Sequence, residues 1–297
     1  MGKHDKDVDK KAGKRKQRQD SAEAVIAALR VGPGFDFDRF DPAATPGAVS
    51  EKKVLAEFED DAAELAELQE RLFAAGRGGD QRRVLLVLQG MDTAGKGGIV
   101  RHVVGQVDPQ GVRITGFKAP TPEELEHDFL WRIERALPGA GIIGVFDRSH
   151  YEDVLIGRVR ELAPAEEIER RYGAINDFEA RLAADGITVV KCALLVSLDE
   201  QKARLAERLE RPDKHWKYNP GDLAERKLWP EYREAYRIMF ERTSTETAPW
   251  YAIPANEKWY ARFAVQQLLL DALRRIDPQW PAADFDVAEQ QRLLAES

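Results

Sequence analysis

Residues Val84 to Arg101, VLLVLQGMDTAGKGGIVR, pass from a short apolar stretch through a loop with four glycines into a segment of helical spacing. Few folds accommodate that succession. Val84 to Leu88 suits a strand covered on both faces, and Gly90 to Lys96 has the spacing G-x-x-x-x-G-K. Gly90, Gly95, Gly97 and Gly98 allow backbone conformations in which successive N–H groups point at one anion, and Lys96 adds a point charge. Ile99, Val100, Val103 and Val104 give one apolar helical face, so the positive end of that helix also meets the turn. The stretch predicts a phosphate cradle. Its alternative is a glycine-rich strand-to-helix turn that binds nothing.

Gly97 stands where the usual motif has the Ser or Thr that holds magnesium, so another group must hold the metal. Asp92, within the loop, is the candidate, because a bare carboxylate in a phosphate nest repels the ligand unless a divalent cation lies between them.

The chain has 297 residues, 43% hydrophobic, enough for one substantial core with peripheral additions. No apolar run approaches the ~20 residues that span a bilayer and no signal peptide is evident, which predicts a cytoplasmic protein without a membrane partner. Cys192 is the single cysteine and sits in an apolar run, which excludes a disulfide framework. The five histidines lack metal-ligand spacing, so zinc is not expected. A net charge of −7 argues against general nucleic-acid binding, although a local basic track can still hold a polyanion.

Residues 1–20 carry eight Lys or Arg and four Asp with almost nothing apolar, and are expected to form a disordered basic tail. An arm and helix over 21–80 follow. Ala22 to Arg30 reads as a short helix, and Phe35 to Phe40 alternates aromatic and charged residues, as in an arm laid on the main domain or on a neighbouring subunit. Ser50 to Phe73 reads as a long helix capped by Ser50 and stopped by the glycines of 76–79. The main domain is expected over 81–278. Val112 to Phe117 predicts a second strand, and Thr121-Pro-Glu-Glu124 a capping box opening a helix to Leu137.

Gly141 to Phe146 predicts a third strand, with Asp147-Arg-Ser-His-Tyr-Glu-Asp153 at its carboxyl end, where open parallel sheets place ligands. A carboxylate there is a second metal-orienting position, or else a helix cap. Arg148 beside it is costly in a dry crevice unless it meets an anion. Glu152 and Asp153 are either functional or first-turn acids that complement a helix dipole.

Val189 to Val196 predicts a fourth strand, and Ser197 with Glu200 a capped helix. On that helix Arg204, Arg208 and Arg211 share a face, which costs an isolated helix roughly 0.2–0.5 kcal/mol per pair unless acids or a bound anion compensate. The segment 214–218, KHWKY, extends this basic track, and a lid is expected over about 199–243. Asp222 to Thr243 reads as one helix whose Trp229, Tyr232, Tyr236 and Phe240 mostly pack the core. Pro249 to Pro254 fits a fifth strand at the sheet margin, Asn256 to Arg275 a final helix, and 279–297 a loose tail. Strands alternating with helices behind a phosphate loop predict a three-layer α/β/α fold with a parallel five-stranded sheet. No residue reads as a base for deprotonating a hydroxyl. A phosphate acceptor needs none, because its oxygen is already anionic and catalysis reduces to alignment and charge neutralisation.

Seven motifs in order, Gly90-Met-Asp-Thr-Ala-Gly-Lys-Gly-Gly98, Asp108-Pro-Gln-Gly-Val112, Phe117-Lys118, His127-Asp-Phe-Leu-Trp-Arg132, Asp147-Arg-Ser-His-Tyr-Glu-Asp153, Lys214-His-Trp-Lys217 and Ile253-Pro-Ala-Asn-Glu-Lys-Trp-Tyr260, resemble the polyphosphate kinase 2 family. The likeness spans roughly Phe35 to Asp277. It implies a P-loop kinase fold related to thymidylate kinase and reversible, Mg²⁺-dependent phosphoryl transfer between inorganic polyphosphate and AMP, ADP or ATP, with Mn²⁺ as a substitute metal. By this resemblance Asp92 and Asp147 hold the metal, Lys96 holds the transferring phosphate, and Arg148, Arg204 and Arg208 neutralise the transition state. Arg101, His102 and Lys118 contact the polyphosphate chain. Arg148, Tyr151, Glu152, Lys214 and Lys217 contact the nucleotide, with Glu152 biasing the choice between AMP and ADP. The resemblance and the aromatic arm together imply a homo-oligomer. Two competing readings are an ATP-dependent nucleoside-monophosphate kinase of thymidylate kinase type and a nucleotide switch without catalysis.

Overall fold

The computed structural model describes residues 22–48 and 50–297, so the expected basic tail over 1–20 lies outside the described residues. Five strands, β1 (Arg83–Gln89), β2 (Val112–Gly116), β3 (Ile143–Asp147), β4 (Ile187–Leu195) and β5 (Trp250–Pro254), pair in parallel in the order β2-β3-β1-β4-β5. The helices are α1 (22–29), α2 (Glu51–Arg77), α3 (Lys96–His102), α4 (Pro122–Leu125), α5 (Trp131–Glu134) and α6 (Ile156–Val159). They continue with α7 (Ala165–Ala184), α8 (Leu198–Glu210), α9 (Gly221–Arg226), α10 (Trp229–Thr243), α11 (Lys258–Ile276) and α12 (Val287–Ala295).

The period of two along β1 sorts its side chains between two cores. Val84, Leu86 and Leu88 pack with α2, α3 and α11, and Leu85 and Val87 with α7 and α10. Both faces of the sheet are thereby covered, which gives the three layers of an α/β fold. The central strand is apolar throughout because neither of its faces meets water.

Three helices depart from their expected extents. α2 is capped by Ser50, whose hydroxyl accepts from the Lys53 N–H, but it runs through Gly76 and ends at Gly78. Gly76 is required there by crowding, since a Cβ on it would lie 2.6 Å from the Gly141 Cα. The capping box at Thr121 and Glu124 forms, yet the helix stops at Leu125 and restarts as α5. Between them the Asp128 carboxylate accepts from the Leu130 N–H (3.0 Å), an Asx turn that competes with the helix. The expected helix from Asp222 to Thr243 is broken at 227–228 because Pro230, lacking an N–H, is accommodated only in a first helical turn.

The aromatic arm lies on its own chain, with the rings of Phe35 and Phe37 each 5.6 Å from Phe240. Within 199–243, α8, residues 212–217 and α9 border the site, while α10 packs into the second core and presents Tyr232 and Tyr236 to the second cavity. The expected loose tail contains the exposed helix α12. Cys192 is buried, and burial pushes its thiol pKa up, so it is an inert core residue. Among the described residues no helix is long and apolar enough to cross a membrane.

Candidate active site

The loop after β1 is shaped by close approach. A Cβ on Gly90 would lie 2.7 Å from the Leu194 carbonyl oxygen, and Gly95 adopts a φ of 112° immediately before α3. Thr93 takes a φ of 66°, a conformation that costs a non-glycine residue of order 1–3 kcal/mol and marks a constrained loop. The N–H groups of Gly95, Lys96 and Gly97 find no protein acceptor among the described residues and border a cavity of about 570 Å³. α3 is short, and Val103 and Val104 lie beyond its end, so the loop amides rather than a long helix dipole supply the backbone charge. The Lys96 ammonium donates to the Gly90 carbonyl (2.5 Å). Burial, reinforced by Arg148, pulls its pKa down against the attraction of Asp147, Glu152 and Asp92.

β3 brings the second carboxylate. Its register pairs Leu88 with Asp147, so the loop and Asp147 leave the sheet side by side and both line the cavity. Arg148 also has a left-handed backbone, φ 66°, fixed by its N–H donating to the Leu88 carbonyl (3.0 Å). That turn swings its guanidinium to 3.0 Å from Asp92 and 3.8 Å from Glu152. Ser149 caps the 3-10 turn His150–Asp153, so Asp147 does not serve as its cap. Among the described residues no three His, Cys, Asp or Glu gather as a metal site. Asp92 and Asp147 are two hard oxygen donors on one cavity, a set that suits a small divalent cation completing its shell with phosphate oxygens and water.

A second cavity of about 380 Å³ shares Asp92, Arg148, Arg208 and Lys217 with the first, and is closed by Glu152, Asp222, Glu225, Tyr232 and Tyr236. Burial raises the pKa of Glu152 against the pull of Arg148 and Lys96. It raises that of Asp222 too, assisted by Asp92. Away from the shared wall the first cavity carries the cations Lys96, Arg101, Lys214, Lys258 and Arg262 and the ring of His102, against the carboxylates Asp147 and Glu207.

The two arginines of α8 and Arg211 just past its end have three different fates. Arg204 is buried; its Nε donates to Glu200 (2.7 Å), Nη1 to the carbonyls of Thr93 (2.9 Å) and Ala94 (3.3 Å), and Nη2 to those of Ala255 (2.6 Å) and Asn256 (2.8 Å). A guanidinium has five N–H groups, and all are engaged. Arg204 borders the first cavity, as its expected transition-state role requires, but with every N–H engaged it clamps the phosphate loop to the β5–α11 turn. Arg208 lines both cavities, where it donates to the Lys217 carbonyl (3.0 Å) and sits 3.5 Å from Asp222. Arg211 pairs with Glu207 and Asp213 in solvent.

A family model described as polyphosphate kinase 2 matches residues 48–281. The chain belongs to the polyphosphate kinase 2 family. It is 44% identical to the AMP/ADP-polyphosphate phosphotransferase of Meiothermus ruber over 85% of its own length and 94% of that protein's. It is 38% identical to the ADP-polyphosphate phosphotransferase of Rhodopseudomonas palustris, over 85% of its length and 91% of that protein's. The crystal structure of polyphosphate kinase 2 from Arthrobacter aurescens TC1 superposes with a TM-score of 0.90 at 60% identity, covering 93% of this chain and 98% of that one. As a polyphosphate kinase 2 the chain is a phosphotransferase on a P-loop kinase-like fold.

Within this polyphosphate kinase 2 two expected ligand contacts lie elsewhere. Tyr151 is fully buried, its hydroxyl donating to Glu179 (2.7 Å) and accepting from Lys191 (2.8 Å), so it is a core residue and not a nucleotide contact. The tight 3-10 turn sends Glu152 to the second cavity and its neighbour Tyr151 to the interior. Lys118 borders neither cavity and opens onto a separate one at the end of β2. Conversely, Lys258 and Arg262, one turn apart at the start of α11, join the first cavity although only their place in the helix was legible. Asp222, Glu225, Tyr232 and Tyr236 enclose the second because the break before α10 folds α9 over it, a long-range arrangement that helical spacing does not encode.

Proposed function

We propose that this polyphosphate kinase 2 transfers a phosphoryl group reversibly between inorganic polyphosphate and AMP or ADP, with Mg²⁺ or, in its place, Mn²⁺. The observation that carries this reading is the wall of Asp92, Arg148, Arg208 and Lys217 common to both cavities, an arrangement suited to two phosphate ligands meeting there. Polyphosphate occupies the larger, cationic cavity along Lys96, Arg101, His102, Lys258 and Arg262. The nucleotide occupies the smaller one, where Glu152, Asp222 and Glu225 suit sugar hydroxyls and base amino groups and Tyr232 and Tyr236 supply apolar contact. Relatives named for AMP/ADP and for ADP support the choice of acceptor.

Asp92 and Asp147 hold the metal, which when bound neutralises phosphate charge and orients the transferring group. Lys96 and the loop amides grip the donor phosphates. Arg148 and Arg208 offset the charge that spreads over the equatorial oxygens as the phosphoryl group crosses. The acceptor oxygen is already anionic, so the transfer needs no general base. We further propose a cytoplasmic homo-oligomer. The decisive assay supplies polyphosphate as sole donor to AMP and to ADP, with ATP as a parallel donor to AMP, and separates the products by chromatography. ADP and ATP formed from polyphosphate are expected; transfer from ATP with none from polyphosphate would overturn the reading.

A further inference from the structure

A third cavity of about 340 Å³ opens at the carboxyl end of β2, lined by Arg113, Lys118, Glu124, Trp131, Arg132 and Arg135 among others, and shares no residue with the two above. It begins one strand from the chemistry, since the N–H of Phe117 donates to the carbonyl of Asp147 (3.0 Å). Four cations face one small volume. Arg132 is mostly buried and held in place, its Nη1 donating to the Lys118 carbonyl (2.9 Å), with Glu124 at 3.6 Å and Asp153 at 3.7 Å. Arg113, Lys118 and Arg135 form no ion pair among the described residues, in a chain where most arginines do. Glu124, the cavity's own carboxylate, is occupied by the backbone N–H of Thr121. Beside the paired Arg132, the three cations without a carboxylate of their own repel one another unless an anion joins them.

The aromatic lining narrows the class of anion. Trp131 is stacked on His127 at 4.0 Å and has the Arg135 guanidinium 4.7 Å from its ring centre. These two contacts already occupy much of the indole, and the rest of the lining supplies charge.

We propose that this cavity is an anchoring subsite for a remote stretch of the polyphosphate chain, outside the reacting end, contacted by Arg113, Lys118 and Arg135 around a fixed Arg132. The proposal rests on the polyphosphate reading above. An additional anchor strengthens binding of chains long enough to reach it and leaves short ones unaffected.

The test is steady-state kinetics of the full-length Arg113→Ala/Arg135→Ala variant with long-chain polyphosphate and with tripolyphosphate, ADP saturating. Losing two exposed ion pairs is expected to raise KM for the long chain roughly 2- to 30-fold, with kcat and the tripolyphosphate KM unchanged. The slope of log affinity against log salt for long-chain polyphosphate, from equilibrium binding, is expected to shrink by about one to two. Equal KM values for variant and parent with the long chain overturn the proposal, as does an equal rise for both donors. A rise in the KM for ADP instead makes the cavity a nucleotide site and also overturns it. Failure of the parent protein to use either donor defeats the polyphosphate reading itself, an outcome separate from any effect of the variant.

Discussion

Arg148 reaches back from the turn after β3 to form a 3.0 Å ion pair with Asp92 in the loop after β1, tying the two chain segments that carry the acidic groups of the site. Asp92 thus serves two cations, the arginine and the metal we assign to it. Asp92→Asn is expected to raise the divalent-ion concentration for half-maximal rate by at least about tenfold, as befits loss of a ligand charge. Titration of Mg²⁺ at saturating polyphosphate and ADP measures this. An unchanged curve moves the metal to other residues.

Lys96 is a half-buried ammonium on the cavity wall whose pKa is held down by desolvation, so its charge contributes little to folding and is placed to meet an anion. Lys96→Met is expected to lower kcat by roughly 10²–10³-fold, in line with removal of one preorganised donor. The midpoint of thermal unfolding should stay the same or rise. A drop in stability with near-parental turnover contradicts the assignment.

Arg204 and Arg208 lie one turn apart and separate stability from catalysis. Arg204→Ala strips the hydrogen-bond donor from four carbonyls, at about 3–5 kcal/mol, and is expected to lower the unfolding temperature by roughly 6–20 °C. Arg208→Ala is expected to leave the unfolding temperature nearly unchanged and to cut kcat instead. Scanning calorimetry beside turnover decides between them, and parallel behaviour of the two variants refutes the division of labour.

His102 supplies a pH dependence. Burial, then the neighbouring Arg262 and Arg101, hold its pKa below the ordinary imidazole value, so the free protein carries it neutral at pH 7. Polyphosphate favours the protonated ring and so raises its pKa in the complex; by linkage, affinity rises as pH falls from the pKa of the complex towards the depressed value of the free protein, and is constant below that. The KM for polyphosphate is expected to fall between pH 7 and pH 5 in the parent and to stay flatter in His102→Gln. Matching profiles in the two proteins remove His102 from the track.

What the sequence disclosed follows from the range of the forces involved. The phosphate loop, the Thr121 box and the Ser197 cap are local chemistry, complete within a few residues, and they form where expected. Arg204, Arg208 and Arg211 look alike on paper because helical spacing states only that they share a face. Which one is saturated depends on carbonyls of Thr93, Ala94, Ala255 and Asn256, about 50 to 110 positions away. Tyr151 was misplaced for a similar reason, since its partners Glu179 and Lys191 belong to α7 and β4. The acidic second cavity depends on a helix break at 227–228 that the spacing of Tyr232 and Tyr236 concealed.

The partition common to the two cavities has a kinetic consequence. Arg208 and Lys217 bracket one edge of that partition, whereas Arg204 fastens the root of the same helix. A shift of residues 208–217 therefore reshapes both cavities in one stroke, and on the function we propose the two ligands would gain or lose access together.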